Sequence, residues 1–183
     1  VRTLQKIINF FWAVRWLNIQ NAGNQIQNAG NQMTSEQHPP KSPVPTPFSD
    51  DYCFVCGKDN PKGFKIRVRY LDADMAAETE LSLAREYQGW ADVIHGGILS
   101  TLLDEMMAHA VWHFAGPGLT LSLEVRFHAP LKPDEPILVR GVLHTHNGSR
   151  RLAEGEIIRL ADGTRIASGK SRFLLYPEKE PEP

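Results

Sequence analysis

The sequence predicts an α+β domain in which an antiparallel sheet packs on one long, largely buried helix. Three observations carry this. Residues 98–114 repeat apolar side chains at helical spacing over several turns. Four strand-like runs follow that stretch, with two dipeptides between them that favour hairpin turns. Two more strand-like runs precede it.

Taken in chain order, 64–70 (FKIRVRY) alternates apolar and polar residues, as a half-buried strand does, and 76–83 (AAETELSL) is a second candidate. Gly96-Gly97 opens the helix. Its apolar positions Ile98, Leu99, Leu102, Leu103, Met106, Met107, Ala110 and Val111 follow i, i+3, i+4 spacing with few polar interruptions. Gly116-Pro117-Gly118 ends it. Strands are expected at 119–127, 137–146, 151–160 and 164–176, with turns at Asn147-Gly148 and Asp162-Gly163. The domain therefore occupies 49–177, and 178–183 is read as a disordered tail.

The first 48 residues differ in kind. Residues 4–19 are apolar and aromatic, the heptapeptide IQNAGNQ then occurs twice in tandem, and a Pro-rich linker follows. A repeat of Asn, Gln and Gly offers little apolar surface to bury, so disorder is expected there. No acidic residue occurs before Glu36, which suits a targeting or membrane-surface segment. The alternative, which we prefer, is an upstream extension with translation starting at Met33.

Composition narrows the function. The chain is 42% hydrophobic and 22% charged with formal net charge -1, as in a soluble globular protein with no electrostatic call on nucleic acid. No apolar run is long enough for stable membrane insertion. Two cysteines do not make a disulfide scaffold, and a reducing, cytoplasmic setting is the default.

The most informative segment is YQGWADVIHGGILSTLLDE, residues 87–105. Gly96 and Gly97 permit a tight turn and a close approach to a ligand. Free N–H groups at a helix N-terminus suit an oxygen that gains negative charge. Asp104 lies in an otherwise apolar helical stretch, where an unpaired carboxylate is costly. This combination of His95-Gly96-Gly97 with an acid nine residues after the histidine resembles the PaaI-like branch of the hotdog-fold acyl-CoA thioesterases. The similarity extends to 53–68 (CFVCGKDNPKGFKIRV) and to RFHAPLKP, residues 126–133. It implies a sheet wrapped around one central helix and hydrolysis of an acyl-CoA to free acid and coenzyme A, with no cofactor. It also implies the Gly96 amide as carbonyl polariser and Asp104 as general base for water or as nucleophile. His95 and Gly97 would shape the turn. Thr120 matches a position where relatives carry a hydroxyl near the acid, and an ordinary strand threonine explains it equally well. Asn60 would line the site mouth, though Asn-Pro turn chemistry also accounts for it.

Geometry adds an expectation about assembly. Gly96 and Asp104 lie about 12 Å apart along one helix, too far to share one thioester carbonyl. The acid of one chain must meet the amide of another, in a homodimer or a dimer of dimers. Glu105, with the same chemistry at the wrong spacing, is read as structural.

No metal is expected. Cys53-x-x-Cys56 lacks a second cysteine pair, and His109 and His113 share a helix face without a nearby HExxH glutamate. Arg126, Lys132, Arg150 and Arg151 suit coenzyme A phosphates or simply form a solvated rim. Two other functions stand beside hydrolysis: a non-catalytic acyl-CoA-sensing module and a hydroxyacyl-thioester dehydratase. Retention of Asp104 disfavours the first, and VIHGGILS lacks the Pro-containing loop of the second. The acyl group is not encoded in any motif found.

Overall fold

The computed structural model describes residues 51–144 and 148–176. The expectations for 1–48 and 178–183, the end of the 137–146 strand with Asn147, and both ends of the 49–177 domain lie outside the described residues. The helix, α1, runs Gly96–Ala115 and buries Leu99, Leu102, Leu103, Met106, Met107, Ala110 and Val111, so the predicted apolar face is the one that packs. Gly116, at φ 104, ends it.

Among the described residues eight strands accompany the helix: β1 (Arg69–Leu71), β2 (Ala76–Leu81), β3 (Gln88–Trp90), β4 (Val93–Ile94), β5 (Gly118–Phe127), β6 (Ile137–His144), β7 (Arg150–Arg159) and β8 (Arg165–Leu175). Six form an antiparallel sheet in the order β1-β2-β6-β7-β8-β5, and β3 and β4 form a small hairpin. β6, β7 and β8 pair in succession as an antiparallel meander, and Gly148 and Gly163 are both at positive φ.

Two expected strands are shorter in the fold. The run 64–70 joins the sheet only at Arg69, because Phe64 and Ile66 donate their N–H groups to Phe54 and Val55 instead of to a sheet neighbour. Lys65 at φ 53 also breaks the extended backbone. The alternation was real, since Phe64, Ile66 and Val68 pack on the core, but their partner is the turn before them. The second strand stops at Leu81, and Leu83 turns inward to be fully buried. The β3–β4 hairpin had no clear sequence pattern.

Helix and sheet meet across a glycine row. Gly141, Gly155 and Gly169 stand opposite one another on β6, β7 and β8. A Cβ on Gly141 would lie 2.4 Å from the backbone carbonyl carbon of Met106, so the helix backbone rests directly on β6. At Gly155 and Gly169 the nearest atoms include side-chain atoms of Leu103 and Met107. This row sets the depth at which α1 sits and therefore where Asp104 emerges.

At the other side of the sheet, β5 pairs with β8 alone and has no second strand neighbour among the described residues. Thr120, Leu123, Val125 and Phe127 stand opposite buried β8 residues and so face the helix layer. Only Val125 is packed against the core, while Leu123 and Phe127 are exposed. A ten-residue edge strand with exposed apolar side chains is a surface that natural proteins cover. Among the described residues no helix is long and apolar enough to cross a membrane.

Candidate active site

The start of α1 is built by His95. Its backbone N–H donates to Tyr87, and the neighbouring Ile94 N–H donates to Leu131, so the turn is clamped from both sides. The His95 side chain caps the helix: Nδ1 accepts from the Gly97 N–H at 2.8 Å. Neutral His95 must then carry its proton on Nε2. A Cβ on Gly97 would lie 2.9 Å from that same Nδ1, which explains the second glycine. The first is explained by the Phe127 ring, 3.0 Å from where a Gly96 Cβ would stand.

These contacts leave one amide over. Gly97 donates to the His95 ring, and Ile98 and Leu99 both donate to the His95 carbonyl. The Gly96 N–H has no hydrogen-bond partner among the described residues. Gly96 lines a groove of about 510 Å³ together with Trp90, Val93, His95, Phe127 and Pro130. An unsatisfied N–H with the helix dipole behind it is the donor that an oxyanion needs.

Asp104, two turns along the same helix, is half-buried and accepts a hydrogen bond from the Thr120 hydroxyl at 3.0 Å. Burial pushes its carboxyl above the ordinary aspartate range, the Thr120 hydrogen bond pulls it partly back, and the adjacent Glu105 charge raises it again. Such a carboxylate is a stronger base than a solvated one, with Thr120 engaging Oδ1. No hydrogen bond joins Asp104 to the His95-Gly96-Gly97 turn.

Asn60 is spent locally: its amide donates to the Tyr52 carbonyl at 3.2 Å and its Oδ1 accepts from the Lys62 N–H at 2.9 Å. The structure does not link it by hydrogen bonds to Asp104 or to the helix turn. Arg126 lies on the outer sheet face with Arg140, Arg165 and Lys170, where Glu124, Glu154 and Glu156 interleave with them. Lys170 and Arg165 are paired with Glu154 and Glu156, so this face is not a simple anion site. Met106 and Met107 are core.

Sequence reasoning missed one cluster. Glu105 accepts from Cys53 and Cys56 and also contacts His109 Nε2 at 3.2 Å, while His109 Nδ1 meets the Tyr70 hydroxyl at 2.8 Å. The i, i+4 pair Glu105 and His109 was the available signal.

Residues 91–160 match the family model described as Thioesterase superfamily. The fold agrees with solved structures. Zebrafish thioesterase superfamily member 2 superposes with a TM-score of 0.56 at 22% identity, over 61% of this chain and 82% of that one. The chain has the hotdog fold. The Escherichia coli PaaI protein of the phenylacetic acid degradation operon gives a TM-score of 0.57 at 14% identity, covering 62% and 80%. Thermus thermophilus PaaI gives 0.55 at 21% identity, covering 61% and 93%. No curated protein matches the chain by sequence. In this hotdog domain the matched segment takes in the His-Gly-Gly turn and Asp104 but not the cysteine turn.

Proposed function

We propose that this protein is an acyl-CoA thioesterase whose active sites are shared between two copies of the chain. The observation that carries the reading is the placement of the two half-sites at opposite ends of the unpaired strand. Near the start of β5, Thr120 holds Asp104; at its end, Phe127 packs on Gly96. Two β5 edges pairing antiparallel about a two-fold axis near Leu123 would bring Thr120 of one copy beside Phe127 of the other. Asp104 of one chain then meets the free Gly96 amide of its partner, which one helix cannot achieve alone.

In this site the thioester carbonyl oxygen accepts from the Gly96 N–H. Asp104 takes a proton from water as the oxygen attacks the carbonyl carbon. The oxyanion is held by the helix N-terminus until the C–S bond breaks and the thiolate leaves with the proton returned by Asp104. Products are the free acid and the thiol. His95 and Gly97 keep the turn in shape, and Thr120 orients the carboxylate. Asn60 acts by holding the turn that precedes the 64–68 segment.

Two expected results test this. Thr120→Val removes a hydrogen bond that favours the charged carboxylate, so the Asp104 pKa rises further. Because the base acts when deprotonated, the acid limb of the kcat/KM profile moves to higher pH; an unmoved limb would remove Thr120 from the site. Leu123→Asp sets two like charges against each other across the proposed two-fold. Sedimentation should then show monomers, with thiol release from acyl-CoA lost; a fully active monomer contradicts the shared site.

A further inference from the structure

We infer that Cys53, Cys56 and Glu105 form a zinc site that ties the Cys-x-x-Cys-Gly turn to the central helix. The two sulfur atoms and a Glu105 oxygen all lie within 4.8 Å of one another. Cys53 Sγ stands 3.6 Å from Glu105 Oε1 and 3.8 Å from Oε2. In a tetrahedral site with Zn–S of about 2.3 Å and Zn–O of about 2.1 Å, sulfur and oxygen ligands sit roughly 3.6 Å apart. Cys53 and Glu105 are thus already spaced as one edge of such a site, Cys56 lies within the same 4.8 Å, and both thiols hydrogen-bond the one carboxylate.

The surroundings suit a metal as well as the donors do. Cys53 Sγ accepts the Val55 N–H at 3.3 Å, a bond that steadies a thiolate. Gly57 N–H donates to the Cys53 carbonyl at 3.0 Å, and a Cβ on Gly57 would fall 2.4 Å from the Cys53 nitrogen, so this closed turn requires glycine. His109 Nε2 holds the Glu105 carboxylate, and Tyr70 holds the other side of the ring, which is the outer arrangement that orients metal ligands. Cys53 is exposed, leaving the fourth position to water. Two thiolates with a carboxylate favour zinc over the harder magnesium or calcium. Binding releases the two thiol protons to solvent and leaves the carboxylate charge count unchanged. Sequence spacing pointed away from metal because only the turn was visible; the third ligand comes from a helix 49 positions beyond Cys56.

The site stands independently of the hydrolytic reading, and the test reads metal alone. The full chain is reduced with a phosphine, stripped with chelator and titrated with cobalt(II). One equivalent should bind with a thiolate-to-cobalt charge-transfer band, and zinc should displace it. Cys53→Ser and Cys56→Ser should each abolish stoichiometric binding, His109→Ala should weaken it about 10- to 100-fold, and His113→Ala should leave it intact. Should the cysteine variants not fold, the wild-type chain still decides. Its only two thiols should both react with a thiol reagent without metal and both be protected by zinc. Reduced wild-type chain that takes up no stoichiometric zinc or cobalt, or thiols equally reactive with and without zinc, overturns the site.

Discussion

Asp104→Asn is expected to lower the rate of thiol release from acyl-CoA by about 10²- to 10⁴-fold, the usual worth of a positioned general base. The substitution is nearly isosteric, and an asparagine oxygen can still accept the Thr120 hydroxyl, so folding and dimerisation should survive. Gly96→Pro should be comparably damaging for the opposite reason. Gly96 is the first helical residue, where proline is tolerated and only the free N–H is lost. His95, at φ -63 and ψ 132, already has the backbone that a residue before proline prefers. The proline ring must displace the exposed Phe127 side chain, so the variant's circular dichroism is measured beside its activity. The two lesions together test whether sites are shared. In random heterodimers one site inherits both changes and the other inherits neither, so mixing two inactive variants should restore about a quarter of wild-type activity. Folded variants that exchange subunits and show no recovery would falsify the shared site.

Gly141→Ala should be the most destabilising single-methyl addition among the described residues of the sheet. Its Cβ would lie 2.4 Å from the Met106 carbonyl carbon and 2.5 Å from the Met107 nitrogen. Both atoms belong to the backbone of a buried helix, so no side-chain rotation relieves the overlap. Helix and strand must separate by about 1 Å, opening contacts along the whole interface, at a cost of about 3 kcal/mol or more. Gly169→Ala is the matched control on the same row. There the nearest atom is the flexible Met107 Cε at 3.3 Å, and alanine recovers about 0.5–1 kcal/mol of backbone entropy in a strand. Urea titrations should show the first variant strongly shifted and the second near wild type. Equal effects would mean that the row does not set the helix depth.

How much of this was legible depended on how far apart in the chain the cooperating residues lie. The helix, its glycine stop and the β6-β7-β8 hairpins rest on contacts between near neighbours, and periodicity and turn chemistry display those directly. The His-Gly-Gly cap is similarly local, since His95 and Gly97 are two residues apart and their hydrogen bond closes within the motif. Asp104 stood out because a carboxylate amid an apolar helical stretch demands a reason. Strand order, by contrast, places β5 beside β8 and β2 beside β6, pairings between segments dozens of residues apart that no period reports. The run 64–70 had strand alternation, but only the fold shows that its first half bonds to the preceding turn. Glu105 illustrates the division best. By sequence it was the spare acid next to Asp104; a helix turns about 100° per residue, so the two carboxylates face different neighbours. One meets Thr120 at the open edge of the sheet, the other meets Cys53, Cys56 and His109. Residue chemistry and local spacing determined the helix, its cap and the carboxylate set into its apolar stretch. Which distant side chains surround each acid was decided by tertiary packing, because burial and pairing depend on contacts that chain separation hides.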